Sequence, residues 1–188
     1  MKLLPCPRVL KCGAGFFKVP DHSILALLAT GPELVLAARR LQTGAMDAGI
    51  HLLLQTSPHR SCALEYPAAI RCARRTLSAP SAEAYTITID ENGVSVDFSA
   101  PAGFRAAVAT MRQLFREFGR RLPQLSILDW PDFPRRGVML DISRGRVPRI
   151  ETLLGLVDHL ADFKINEFQL YIEHTFAYRQ YRAVWRDW

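Results

Sequence analysis

The pattern that most constrains the fold lies in residues 137–172, where two apolar runs flank an amphipathic segment. The first run, Gly137–Ile142, is almost continuously apolar, as is typical of a strand buried on both faces of a parallel sheet. Pro148 suits the first turn of a helix, and apolar residues then recur at helical spacing to about Lys164. A second apolar run, Phe168–Ile172, follows. Strand, helix and strand predict one right-handed βαβ unit of a parallel sheet or barrel.

A hairpin and a long helix are predicted ahead of this unit. Residues 85–90 and 94–98 alternate apolar and polar side chains, and Asn92-Gly93 between them supplies the positive φ angles of a tight turn. Apolar residues then recur at helical spacing at Phe104, Ala107, Val108, Met111, Leu114, Phe115 and Phe118. We expect this helix to pack onto the hairpin, with its aromatic stripe forming core rather than a ligand site.

The N-terminal segments are less strongly patterned. Residues 16–28 predict short extended pieces, and residues 32–45 predict a helix with apolar side chains on one face. Residues 51–56 predict a buried strand. The following stretch is poorly patterned, and its single strand candidate is residues 69–73.

Prolines divide the chain. Pro123 and the run Leu125–Pro134 predict an extended linker, because a residue before proline avoids the helical conformation. We therefore predict a first domain over residues 1–125, a linker over 126–134 and a second domain over 135–188.

Composition limits the classes of partner. The 188 residues are 49% hydrophobic and 22% charged, which is typical of a soluble globular protein, and the formal charge is +6. The basic residues are spread along the chain without a basic block, so we expect no nucleic-acid partner. No apolar stretch reaches the ~20 residues of a membrane span, and Pro5 and Pro7 interrupt the N-terminal segment. We expect no membrane partner and a cytoplasmic location.

The four cysteines are Cys6, Cys12, Cys62 and Cys72. They lack the C-x-x-C spacing of zinc and redox sites, and no histidines cluster near them. The pattern favours buried free thiols, with a disulfide as the alternative. We expect neither a metal nor another cofactor.

Charged residues follow both strands of the predicted βαβ unit. In a parallel βα barrel, functional groups lie at the carboxyl ends of the strands. Asp141 and Arg144 follow the first strand, and Glu173 and His174 follow the second. These are the candidate site residues. Purely structural roles stay open, with Asp141 pairing an arginine and Glu173-His174 forming an ordinary loop.

The run Arg136-Gly-Val-Met-Leu-Asp-Ile-Ser-Arg144, with Asp132-Phe-Pro before it and Lys164-Ile-Asn166 after the helix, resembles the start of the catalytic barrel of glycoside hydrolase family 20. These enzymes are the β-N-acetylhexosaminidases. The preceding region, with Leu4-Pro-Cys-Pro and Gly103-Phe-Arg, is similar to their accessory domain. The resemblance implies an α+β accessory domain, zincin-like but without metal. It also implies that the first βαβ unit of an incomplete (β/α)8 TIM barrel follows.

The resemblance also implies an activity. Family members remove terminal N-acetylglucosamine or N-acetylgalactosamine by a substrate-assisted retaining route, in which the sugar's acetamide oxygen attacks the anomeric carbon. It implies that Arg144 hydrogen-bonds sugar hydroxyls, which suits a planar guanidinium, and that Asp141 positions this arginine. Glu173 and His174 are further substrate-binding candidates. The implied partner of the complete enzyme is an N-acetylhexosamine glycan.

Two features depart from the family pattern. Many members carry a His-x-His-x-x-Asp-Asp run after the second strand, where this chain has Gln169-Leu-Tyr-Ile-Glu-His174, so we expect a divergent subgroup. The adjacent Asp-Glu catalytic pair of the family belongs to a later strand, and Asp90-Glu91 lies in the predicted hairpin. We therefore expect no catalytic residue in this chain and an inactive fragment. The alternative is a stand-alone binding or interaction module that self-associates or docks a partner through exposed strand edges.

Overall fold

The computed structural model describes residues 1–57, 68–173 and 177–184. The chain divides into two compact units, Met1–Asp132 and Phe133–Trp188. A seven-stranded sheet belongs to the first unit and a two-stranded sheet to the second.

The first unit is an α+β domain with a mixed sheet. Its elements are β1 (Val9–Lys18), β2 (Ser23–Leu28), α1 (Pro32–Asp47), β3 (Leu52–Thr56), β4 (Ala68–Arg74), β5 (Tyr85–Asp90), β6 (Gly93–Phe98), α2 (Pro101–Phe118) and β7 (Arg121–Asp129). The strand order is β1-β7-β5-β6-β4-β2-β3. Strands β3, β2, β4 and β6 run parallel, whereas β5, β7 and β1 are joined by antiparallel pairs.

The core of the first unit lies between this sheet and its two helices. Helix α2 contacts β5, β6 and β7, helix α1 contacts β2 and β3, and the two helices pack on each other. Every second residue of the hairpin is buried, including Ile87 and Val96, while Thr88 and Ser95 between them are exposed. The predicted packing of the helix on the hairpin is confirmed, and the aromatic stripe is core, with Phe104 fully buried.

The hairpin turn differs in detail from the prediction. Strands β5 and β6 pair from Tyr85 with Phe98 to Asp90 with Gly93. The Asp90 carboxylate accepts hydrogen bonds from the backbone N–H groups of Asn92 at 2.8 Å and Gly93 at 3.1 Å. Only Gly93 has a positive φ, of 146°, so the prediction that Asn92 also supplies one is wrong. A Cβ on Gly93 would lie 2.9 Å from the Ala69 carbonyl oxygen, so the site needs glycine for space as well.

The predicted linker over residues 126–134 is wrong in its first half. Residues 126–129 complete β7, which pairs there with both β1 and β5. Pro123 does not break the strand, because at that position β7 pairs only with β1 and the missing N–H removes no bond to β5. The boundary between the compact units lies between Asp132 and Phe133.

Two burial predictions for this unit also need correction. Strand β3 is an edge strand with Leu53 exposed, because it pairs only with β2 and nothing among the described residues covers its outer side. Cys72 is a buried free thiol, as predicted, and burial raises its pKa far above the usual range. Cys6 and Cys12 are free but exposed. Cys62 lies outside the described residues.

A buried polar cluster joins the sheet to α2. The Tyr85 hydroxyl donates to Asp129 Oδ2 at 2.8 Å and lies 2.7 Å from Thr110 Oγ1. The backbone N–H of Arg8 donates to Asp129 Oδ1 at 3.2 Å. Burial, followed by the negative charge of Asp129, raises the pKa of Tyr85 well above its ordinary value. The cluster thus connects β5, α2 and β7 to the segment that leads into β1.

The second unit contains β8 (Gly137–Asp141), α3 (Ile150–Asp162), β9 (Glu167–Tyr171) and a 3₁₀ turn (Arg182–Val184). Strands β8 and β9 are parallel, from Gly137 with Glu167 to Asp141 with Tyr171, which confirms the predicted strand–helix–strand unit. The prediction that β8 is buried on both faces is wrong for the described residues, since Met139 is 63% exposed. Two strands and one helix present too little surface to cover both faces of a sheet. No helix in the described ranges is long and apolar enough to cross a bilayer.

Two helical glycines allow a matched test of the packing at the start of α2. A Cβ on Gly103 would lie 2.5 Å from the Ala84 carbonyl oxygen, whereas a Cβ on Gly155 in α3 would meet nothing within 4 Å. Alanine favours a helix over glycine by about 1 kcal/mol, but forcing a methyl group against backbone costs about 1–3 kcal/mol. We therefore expect Gly103→Ala to destabilise α2 and Gly155→Ala to stabilise α3. Hydrogen exchange, measured on peptides from each helix, reports the stability of α2 and of α3. Slower exchange of α2 in Gly103→Ala would contradict this packing.

The buried cluster predicts a cost for losing one hydroxyl. Tyr85→Phe removes the donor to Asp129 Oδ2 without changing the ring, and a hydrogen bond to a charged group contributes about 1.5–3 kcal/mol. We expect the free energy of unfolding in urea to fall by that amount. Tyr181→Phe, at an exposed tyrosine, is the control and is expected to change it little. Equal stabilities of the two variants would show that the Tyr85 hydroxyl contributes nothing.

Candidate functional site

The carboxyl ends of β8 and β9 bring the sequence-predicted residues together. The two strands are parallel neighbours, and the Ile142 N–H donates to the Tyr171 carbonyl at 3.0 Å, which continues the pairing past the end of β8. Residues that follow the two strands therefore lie at one edge of the sheet. Arg144 comes from the first of these segments and Glu173 from the second.

Arg144 lies between two carboxylates. Its Nη2 donates to Glu173 Oε1 at 2.7 Å, and its Nε lies 3.0 Å from Asp141 Oδ2. Its guanidinium carbon stands 5.6 Å from the centre of the Tyr171 ring. The three charged groups carry one positive and two negative charges, so the cluster presents both N–H donors and carboxylate acceptors to solvent.

Asp141 orders the loop that carries Arg144. Its Oδ1 accepts hydrogen bonds from the backbone N–H groups of Ser143 at 2.8 Å and Arg144 at 3.2 Å, while its Oδ2 faces the guanidinium. A carboxylate that binds the backbone two and three residues ahead forms a local turn of its own. Asp141 therefore contacts both the main chain and the side chain of Arg144.

Glu173 is held by two residues that the sequence analysis did not single out. The Tyr171 hydroxyl donates to Glu173 Oε1 at 2.9 Å, and Ser143 Oγ accepts a hydrogen bond from the Glu173 backbone N–H. Both have a signal in the sequence, since Ser143 lies between two predicted site residues and Tyr171 is two residues before Glu173 at the strand end. His174 lies outside the described residues.

The cluster is open to solvent. The side chains of Arg144, Glu173 and Asp141 are 66%, 44% and 35% exposed. Ion pairs this exposed contribute about 0–1 kcal/mol each, so the cluster contributes little to folding. A guanidinium with N–H groups to spare and carboxylates beside it can bind adjacent hydroxyl groups of a polar ligand.

Within the described ranges, no three side chains from His, Cys, Asp and Glu lie close enough together to hold a metal ion.

Comparison with known sequences gives a match in the first unit. A family model described as glycosyl hydrolase family 20, domain 2, matches residues 1–130. A β-hexosaminidase of Vibrio furnissii is 35% identical over 98 residues, which are 51% of this chain and 16% of that protein. The β-hexosaminidase subunit alpha of Rattus norvegicus is 28% identical over 106 residues, which are 54% of this chain and 20% of that protein. The chain thus spans a fifth or less of the length of these two relatives.

Solved structures match over both units. The exo-β-N-acetylglucosaminidase of Vibrio harveyi, a family 20 enzyme, aligns with 89% of this chain and 25% of its own, with a TM-score of 0.71 and 23% identity. The N-acetyl-β-hexosaminidase of Streptomyces plicatus aligns with 90% of this chain and 34% of its own, with a TM-score of 0.71 and 21% identity. At these identities the matches show a shared fold.

The family model covers well over half of the 188 residues, and the described first unit has the α+β fold and mixed sheet of the matched structures. The resemblance found in the sequence is therefore confirmed: this chain belongs to glycoside hydrolase family 20.

Proposed function

We propose that this chain is the N-terminal part of a β-N-acetylhexosaminidase that removes terminal N-acetylglucosamine or N-acetylgalactosamine from glycans. The observation that carries the proposal is the family match across residues 1–130, followed by a parallel strand–helix–strand unit. In this proposal residues 133–188 begin the catalytic (β/α)8 barrel, and the first unit is the zincin-like accessory domain ahead of it.

The geometry of the second unit supports a sugar-binding role for Arg144. Functional groups of βα barrels lie at the carboxyl ends of the strands, where Arg144 and Glu173 are found. In the complete enzyme the Arg144 guanidinium bridges two adjacent sugar hydroxyls, and Glu173 accepts from a third. Asp141 is a positioning residue, because it holds the main chain and the guanidinium of Arg144. His174 is proposed as a further contact.

The reaction itself is proposed to need groups outside this chain. In substrate-assisted retention the acetamide oxygen of the sugar attacks the anomeric carbon, one carboxylate orients the acetamide, and a glutamic acid protonates the leaving oxygen. The family places these two groups as adjacent Asp and Glu on a later strand, and no Asp-Glu pair follows β9 in this sequence. The role proposed for Arg144, Glu173 and His174 is to bind and orient the sugar.

The alternative, a stand-alone interaction module, has one observation on its side. Several large apolar side chains of the second unit are exposed, among them Met139, Leu154 and Val157. A second copy of the chain would cover such side chains, and so would the remaining strands and helices of a barrel. The family match favours the enzyme, because it assigns the preceding domain to a known glycosidase architecture.

The absence of a catalytic pair from the sequence predicts a silent fragment. We expect the purified chain to release no chromophore from a nitrophenyl N-acetylglucosaminide, because loss of the groups that stabilise transition-state charge costs orders of magnitude in rate. Chromophore release is followed by absorbance, with Arg144→Ala as a control for contaminating glycosidase. Turnover above background that Arg144→Ala abolishes would show that the chain carries a catalytic site of its own.

Sugar binding separates the enzyme fragment from an unrelated module. We expect N-acetylglucosamine at millimolar concentration to give a saturation-transfer signal with the chain, and Arg144→Ala to reduce it severalfold, because a charge-assisted hydrogen bond contributes about 1.5–3 kcal/mol. Arg146→Ala, two residues away at an exposed arginine, is the matched control and should retain the signal. An equal signal in both variants would remove Arg144 from the site. Absence of any signal from the parent chain would contradict sugar binding by this edge.

A further inference from the structure

The first unit contains a cleft at the carboxyl ends of β4 and β6. It has a volume of about 540 Å³, within the range of about 300–1,000 Å³ that is usual for small-molecule sites. Strands β4 and β6 are parallel neighbours with Arg74 opposite Phe98, so the residues that follow them meet at one edge of the sheet. Arg74, Arg75 and Thr76 line the cleft from one strand end, and Ser99 lines it from the other.

Hydrogen bonds within the loop after β4 shape the far wall of the cleft. Ser81 Oγ accepts from the Glu83 N–H at 3.1 Å, and the Ser81 carbonyl accepts from the Ala84 N–H at 3.1 Å. The Ala79 N–H donates to the Leu77 carbonyl at 2.9 Å. These hydrogen bonds fix the backbone conformation of the wall, which reduces the conformational entropy that binding a ligand would cost.

Each of the two arginines is anchored by its own Nε atom. Arg74 Nε donates to the Ser99 carbonyl at 3.1 Å, and Arg75 Nε lies 2.7 Å from Asp97 Oδ1. Among the described residues, neither guanidinium makes a further hydrogen bond or ion pair. The Nη edges of both therefore remain as donors, and a pair of parallel Nη–H groups matches two oxygens of a tetrahedral anion.

The charge of the cleft is positive. The described lining residues include two arginines and no carboxylate, and Asp97, outside the lining, balances one of the two positive charges. The hydroxyls of Thr76 and Ser99 have no hydrogen-bond partner among the described residues. A site with spare guanidinium donors, hydroxyl donors and one uncompensated positive charge favours an oxyanion over a cation or an apolar ligand.

We propose that this cleft binds a phosphate or sulfate group, with the Nη edges of Arg74 and Arg75 and the Thr76 hydroxyl donating to its oxygens. The group is either the free inorganic ion or an ester carried on a sugar, since the cleft is open on one side and large enough for both. This assignment is independent of the proposed glycosidase role, because its described residues belong to the first unit.

The assignment is tested by titrating the full chain with inorganic phosphate, inorganic sulfate, glucose 6-phosphate and glucose. Binding is measured from the NMR chemical shifts of the backbone amides. We expect saturable shifts at residues 74–76 and 99 with at least one anion and none with glucose. Binding should weaken with added sodium chloride, because ionic screening reduces the attraction. Tighter binding of glucose 6-phosphate than of inorganic phosphate would identify the ester, and equal binding the free ion.

Three substitutions test which residues bind the anion. Arg74→Gln is expected to weaken binding about tenfold or more, as for loss of a charge-assisted hydrogen bond. Thr76→Ala is expected to weaken it less. Arg39→Gln removes the same charge from an exposed position on α1, outside the cleft, and should leave binding unchanged. Because Arg74 is exposed, its variant is expected to keep the parent unfolding midpoint. No saturable anion binding at millimolar concentration, or equal loss in Arg74→Gln and Arg39→Gln, would overturn the proposal.

Discussion

The first unit depends on the burial of one carboxylate. Asp129 lies at the end of β7 and is almost fully buried, so its oxygens must find donors inside the protein. The Tyr85 hydroxyl from β5 and the Arg8 N–H ahead of β1 supply them, and Thr110 of α2 contacts the tyrosine. These bonds join strands β5 and β7, helix α2 and the segment before β1. A shift of α2 along the sheet would break them, so they restrict how the helix lies on the core.

The same cluster continues beyond the sheet. The Arg8 guanidinium stacks on the Trp130 ring at 4.7 Å, donates to the Trp130 carbonyl at 2.9 Å and pairs with Asp132. The chain that leaves β7 is thereby held by the segment that enters β1. This is why residues assigned to a linker on sequence grounds are ordered parts of the first unit up to Asp132.

The two candidate sites occupy similar positions at the ends of strands but differ in how far their arginines are already paired. Each lies where two parallel strands end side by side, β8 with β9 and β4 with β6. The loops that follow two parallel neighbours begin at the same edge of the sheet, so their side chains can meet there. The Arg144 cluster is internally paired, with Asp141 and Glu173 both on the guanidinium. The Arg74 and Arg75 cleft keeps donors unpaired among the described residues. The first arrangement therefore suits neutral hydroxyls, whereas the second suits an anion.

The sequence by itself determined the local elements and the family. Local patterns depend only on neighbours along the chain, so they can be recognised without a structure. Examples are the alternation over 85–98, the helical spacing over 104–118 and the run from Arg136 to Arg144. Tertiary structure alone decided the strand order, the place of β7 between β1 and β5, and the meeting of Arg74 with Ser99. It also decided that Tyr171 and Ser143 hold Glu173. The physical reason is that these contacts join residues far apart in sequence, and local periodicity says which face is apolar but not what covers it.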